Sequence, residues 1–201
     1  ACGPMTRSVE DCAIMLRAIA GFDAKDPTSA NRPIPDYRAA LNQDIRGLRI
    51  GVIRHFWEED AQVHEELREA MDSALGVLAG LGAKLETVRV RPLNDYYDVG
   101  KTIALPELVS IHRKDLVERP GEFSADFRIR GGLGACLFQA SDYVDAQRER
   151  RRMIAELKSL YGKYDVFVTT ASTGPAPRLD AYRSMSYWQR PNMTTLFSIT
   201  G

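Results

Sequence analysis

The chain has 201 residues, 44% hydrophobic and 27% charged, a globular balance that excludes disorder as its main character. Lys+Arg 27 equals Asp+Glu 27, so the formal net charge is zero and no global field draws the chain to nucleic acid or to an anionic membrane. No apolar run approaches the ~18 residues that span a bilayer, and Ala1-Cys2-Gly3-Pro4 has neither the basic nor the apolar region of a signal peptide.

Ser8 to Ala20 reads as a helix. Ser8 is a fit N-cap, and Glu10 and Asp11 suit the positive end of the helix dipole. Val9, Cys12, Ala13, Leu16, Ile19 and Ala20 make one apolar face, and Gly21 follows at the C′ position. Residues 22–47, with Asp26-Pro27-Thr28-Ser29 and Pro33-Ile34-Pro35, read as a long connection without regular structure. Leu48 to Ile53 is a β-branched strand. A helix over about 63–81 follows, with Leu67, Met71, Ala74, Leu75, Leu78 and Leu81 as its stripe and Gly82 as its stop. Lys84 to Val90 alternates at period two. Strand, helix and strand over about 48–90 form a βαβ unit, which predicts two parallel strands with a right-handed crossover.

Further on, a helix from Tyr96 is expected to be interrupted near Pro106, and residues 119–135 to form a loop around Gly131-Gly132-Leu133-Gly134. Ser141 to Tyr161 reads as a strong helix, with Ser141 as N-cap and Val144, Ile154, Leu157, Leu160 and Tyr161 as anchors. Tyr164 to Thr169 reads as a strand, which places this late helix and strand over about 141–169. Ser172 to Pro191, rich in Pro, Gly, Ser and aromatics, reads as a loop fit to line a pocket. The chain lacks Met at position 1, Gly3-Pro4 looks like the close of an earlier turn, and Gly201 ends without a polar tail. The expectation is a piece of a longer chain.

Self-contained chemistry is hard to place. His64-Glu65-Glu66-Leu67-Arg68 begins like a metalloprotease helix, but Arg68 stands where a second His must sit one turn on, so His64 reads as a solvated first-turn residue. His55 and His112 have no ligand at metal spacing, so no metal is expected. No Gly-x-Ser-x-Gly elbow and no Ser-x-x-Lys pair occurs, so no serine has a local activating partner. The cysteines Cys2, Cys12 and Cys136 are odd in number and fit no zinc or redox spacing; they read as buried or idle thiols of a reducing compartment, the cytoplasm. In Arg148-Glu149-Arg150-Arg151-Arg152, consecutive positions point in different directions around a helix, so at least one Arg must turn toward neighbouring structure.

Gly3-Pro4-Met5-Thr6-Arg7-Ser8-Val9-Glu10-Asp11 resembles a stretch of the amidase signature family. In the same order as in that family come the loop from Gly21 to Leu41, then Gly47-Leu48-Arg49-Ile50-Gly51-Val52 and Leu81-Gly82-Ala83. Tyr143…Ala146-Gln147-Arg148-Glu149-Arg150 and Tyr164-Asp165-Val166 complete the series. The resemblance covers nearly the whole chain and implies an α/β fold with a mixed central sheet flanked by helices, incomplete in residues 1–201, which would form one side of a single amidase domain. It implies cleavage of a small-molecule carboxamide C–N bond by a Ser–cis-Ser–Lys mechanism, with no cofactor. Neither direct nucleic-acid nor membrane binding follows from it, and a homodimer is compatible with it. The family's Lys and Gly-Ser-rich stretch precede the Gly-Pro-Met segment, so no catalytic residue is expected in this chain. Arg150 matches an Arg that, in the A subunit of tRNA-dependent amidotransferases, helps hold the substrate carboxylate, a role that suits a guanidinium fork. A surface or ion-paired Arg is the competing reading. Thr169-Thr170, where Thr-Pro is usual, and Ser198, where Asn is frequent, are departures that bear on substrate class. The resemblance leaves three functions open: a stand-alone amidase, the A subunit of an amidotransferase, and a family member that binds without catalysis.

Overall fold

The computed structural model describes residues 3–176, Arg178, Asp180 and 192–201. It divides into two compact units, residues 1–45 and 46–201.

In the first unit, α1 (Val9–Ile19) starts where Ser8 Oγ accepts the Asp11 N–H at 3.1 Å. It ends at Ala20 in extended backbone, so Gly21 does not serve as a left-handed stop. Of its expected apolar face only Ala13 is buried, and Val9 and Ile19 are 72% and 61% exposed. The connection holds one 3-10 turn, Tyr37–Ala40, which Asp36 caps through the Arg38 N–H. Arg38 pairs with Glu10 and Arg17 with Asp36, tying this turn to α1.

The second unit is built on a parallel sheet of order β2-β1-β3. Its strands are β1 (Arg49–Val52), β2 (Lys84–Thr87) and β3 (Val166–Val168), with Arg49 opposite Lys84 and Ile50 opposite Val166. Gly51 is the strand residue that needs to be glycine: a Cβ there would lie 2.8 Å from the Phe167 ring. Arg49 clamps β1 to the start of β3, its Nη2 donating to Asp165 Oδ1 at 2.6 Å and its backbone N–H to Oδ2 at 2.8 Å. Helix α2 (Glu65–Gly80) joins β1 to β2; its stripe buries Leu75, and it stops at Leu81-Gly82, where Gly82 takes φ +90°.

Helix α3 (Leu93–Glu118) runs unbroken through Pro106, contrary to the expected interruption. The proline removes one backbone donor, but three later helices pack along α3 and these tertiary contacts hold it. Its first N–H meets a carboxylate, since Leu93 N donates to Asp60 Oδ2 at 2.8 Å.

Residues 119–135, expected as loop, instead hold a 3-10 turn (Pro120–Glu122) and α4 (Ala125–Cys136), which Ser124 caps through the Phe127 N–H at 3.2 Å. Glycine lowers helix propensity, but here it permits contact: a Cβ on Gly134 would lie 2.5 Å from Leu105 O, and one on Gly131 would lie 3.0 Å from Leu116 Cδ1.

Helix α5 (Ala140–Tyr161) begins slightly earlier than expected, with Gln139 rather than Ser141 at the N-cap and Asp142 Oδ2 accepting the Gln139 N–H at 2.8 Å. Its buried residues are Ala146, Met153 and Leu157, whereas Val144 and Tyr161 are 45% and 47% exposed. Helix α6 (Thr195–Thr200) buries Leu196 and Ile199. Of the expected loop from Ser172 to Pro191, residues 172–176 are bends without regular structure, and most of the rest lies outside the described residues. No described helix is long and apolar enough to cross a membrane.

Candidate functional site

Helix α5 presents Tyr143, Gln147 and Arg150 at i, i+4 and i+7, one face of a 3.6-residue repeat. Gln147 Nε2 donates to Tyr143 Oη at 3.0 Å, and the Tyr143 hydroxyl donates to Glu107 Oε1 on α3 at 2.9 Å. One turn further along, Arg150 Nε donates to Ile199 O on α6 at 2.6 Å. Three helices thus meet through one polar row.

Arg150 is the arginine of the basic run that turns inward. Arg148 and Arg152 pair with Asp145 and Glu149 on α5 itself. A cation beside the last turn of a helix is favoured by the exposed carbonyls and the dipole, which explains the Arg150 bond to α6. Among the described residues nothing engages its Nη groups, so they retain donors for an anion.

The neighbouring face of α5 is held by Arg91, which precedes α3. Its Nε donates to Glu156 Oε2 at 2.6 Å, and it also pairs with Glu149. Both carboxyls are held below their ordinary range by the Arg91 guanidinium, and the guanidinium is pushed up in turn. No local pattern announces Arg91, because its partners lie 58 and 65 residues away. Near it, an open cleft of about 660 Å³ lies between α3 and α5, with Val99, Thr102, Phe138 and Glu149 in its wall. Arg150 is not one of its lining residues.

At the C-terminal ends of β1 and β3, the backbone pairs Ile53 N with Val168 O at 3.0 Å and His64 N with Thr173 O at 2.8 Å. The segments between these two bonds carry Trp57, Thr169 and Thr170. Trp57 Nε1 and both hydroxyls are buried with no partner among the described residues. Open parallel sheets bind ligands at such ends.

The other sequence candidates do not gather at this site. His64 is exposed at the N-cap of α2. His112 packs edge-on against Phe123 and Phe127, and buried His55 lies 4.0 Å from Asp60 Oδ2. No described group of three or more His, Cys, Asp or Glu could hold a metal ion. Ser172 Oγ donates to Gly174 O at 2.8 Å, and Ser198 has its Oγ 3.4 Å from Thr194 O.

A three-stranded parallel sheet with helices, a polar row linking α3, α5 and α6, and no self-contained nucleophile pair among the described residues make an α/β scaffold. The sequence profile described as Amidase matches residues 1–201, and the chain belongs to that family, the amidase signature family. It is 39% identical over 176 residues to an amidase of Pseudomonas putida, covering 88% of this chain and 37% of that protein. It is 33% identical over 201 residues to the A subunit of the glutamyl-tRNA(Gln) amidotransferase of Pelobacter propionicus, covering 88% of this chain and 41% of that one. The crystal structure of the corresponding A subunit from Thermotoga maritima superposes with a TM-score of 0.71 at 25% identity, over 98% of this chain and 43% of that chain. The chain therefore spans about two fifths of its relatives' length.

Proposed function

We propose that residues 1–201 form one side of a single amidase domain that hydrolyses the C–N bond of a small carboxamide, working in the cytoplasm without a cofactor. The observation that carries this reading is the 39% identity to the Pseudomonas putida amidase over 88% of the chain. The chemistry is that of the family resemblance: a Ser nucleophile, a bridging Ser in a cis peptide bond, and a Lys base, all in a segment before the Gly3-Pro4-Met5 stretch. A base within hydrogen-bond reach makes a serine hydroxyl nucleophilic, and fixed N–H donors stabilise the oxyanion. In this scheme the present chain supplies scaffold and pocket wall. Arg150 contributes the binding group, its Nη pair gripping a carboxylate on the substrate. The half-buried side chain and its anchored Nε support that assignment.

The test is hydrolysis of a panel of carboxamides by a protein that joins this chain to the preceding family segment. Ammonia release is expected there and not from residues 1–201 alone. Turnover of an aryl amide by the 201 residues alone would overturn the placement of the nucleophile. The second reading, the A subunit of an amidotransferase, is favoured by the 33% identity to the Pelobacter propionicus protein over 88% of the chain. It predicts copurification with two partner proteins, glutamine as the amide, and no hydrolysis by the isolated protein. A preceding segment without the Lys or the Gly-Ser-rich stretch would leave only a binding role.

A further inference from the structure

We propose that Gly100 is a positioning residue for Arg150, acting through α6; the inference rests on the carboxylate-binding reading of Arg150 given above. Gly100 lies on α3 where α6 crosses it. A Cβ at this position would come 2.7 Å from Ile199 Cδ1 and 3.4 Å from Thr195 Cγ2. The missing side chain leaves room for the Ile199 Cδ1 methyl, and a Cβ here would have to displace that methyl, the end of a buried side chain. Helix α6 is held there by its own apolar face, with Leu196 fully buried and Ile199 only 7% exposed.

The seat fixes the carbonyl of the same residue, Ile199, which accepts Arg150 Nε at 2.6 Å. A guanidinium is planar and rigid, so anchoring Nε from one side and the stem from α5 on the other sets where the Nη pair points. Two-point recognition of a carboxylate depends on that direction, and a small misplacement is costly to binding. The depth of α6 against α3, set at Gly100, therefore tunes the grip on the carboxylate. The substrate class that senses it is a short amide carrying an acid group, such as the mono-amide of a dicarboxylic acid.

The experiment uses the protein that joins this chain to its preceding family segment. It compares KM and kcat for such a mono-amide with those for its neutral methyl ester. Arg150→Ala is expected to raise the acid-to-ester ratio of KM roughly tenfold or more, the loss of a charge-assisted hydrogen-bonded pair. Gly100→Ala is expected to raise the same ratio roughly threefold to tenfold, mainly in KM. Adding Ile199→Val, which deletes the crowded Cδ1, should return it toward wild type. If Arg150→Ala leaves the ratio unchanged, the reading of Arg150 fails and this inference with it. If Arg150→Ala shifts the ratio and Gly100→Ala does not, the inference alone fails. A shift in Gly100→Ala that Ile199→Val does not relieve overturns the route through α6. Should Gly100→Ala not fold, Ile199→Ala loosens the same contact from the other side and carries the same expected shift, and its absence overturns the proposal.

Discussion

A half-buried lysine on α3 shows how single residues set the pH response. Lys101 is pulled down to about 8, first by burial and then by the neighbouring Arg130. Its Nζ lies 4.6 Å from the Tyr97 ring, a contact that favours the charged form but does not outweigh burial. The unfolded chain holds this proton up to its ordinary value of 10.5, so between about pH 8 and that value the unfolded state binds more protons than the fold. Stability contributed by Lys101 should therefore rise as pH rises from 8. Urea midpoints are expected to climb from pH 8 toward 10 in the parent chain and to stay flatter in Lys101→Met. Above that range Tyr164, raised by its contact with Glu86 and by burial, works in the opposite sense.

Asp165 has the other sign. The Arg49 guanidinium lowers it to about 2, so its contribution is present above the ordinary carboxylate range and is lost as pH falls through 2. Asp165→Asn should shrink the acid-side fall in the urea midpoint while leaving the alkaline side unchanged. Glu149 and Glu156, also lowered, keep part of that fall in the variant. At this scale the sequence was readable where geometry is local. The run from Arg148 to Arg152 obliged one arginine to face inward, and Arg150 does. Arg49 with Asp165 and Arg91 with Glu156 pair across 116 and 65 residues, and no local spacing could announce them.

Helix α4 marks where element-level reading stopped. Gly131, Gly132 and Gly134 carry opposite lessons within one turn. Gly132 has nothing within 4 Å of an added Cβ, so Gly132→Ala should stabilise by about 0.5–1 kcal/mol through helix propensity. Gly134→Ala gains the same propensity but drives its methyl to 2.5 Å from Leu105 O, a backbone atom that cannot step aside. A net loss of about 1–3 kcal/mol is expected from such overpacking, measured by chemical denaturation. Equal responses of the two variants would contradict the crossing of α3 and α4 described above. Local signals sufficed to place α1, α2 and the three strands, although of the apolar face expected for α1 only Ala13 is buried and α2 starts without a side-chain cap. They failed at α4 and at Pro106, because there the deciding term is packing between helices distant in sequence.

For the molecule as a whole, the question is what its apolar surface does. Val9 on α1 and Ile111 and Val117 on α3 are 72%, 75% and 76% exposed, and Leu137 is 64% exposed. In the sheet order β2-β1-β3, each outer strand pairs on one side only among the described residues. Strand edges and exposed apolar groups both invite association. The relatives are more than twice as long as this chain, and a fold of that size has further strands and helices with which to cover such surface. The isolated 201 residues should therefore self-associate with increasing concentration in sedimentation velocity at micromolar levels. The protein joined to its preceding family segment should do so less. A monodisperse 201-residue monomer that unfolds in one cooperative step would show that this surface needs no cover. It would also weaken the view that residues 1–201 are one side of a larger domain, independently of any assay of amide hydrolysis.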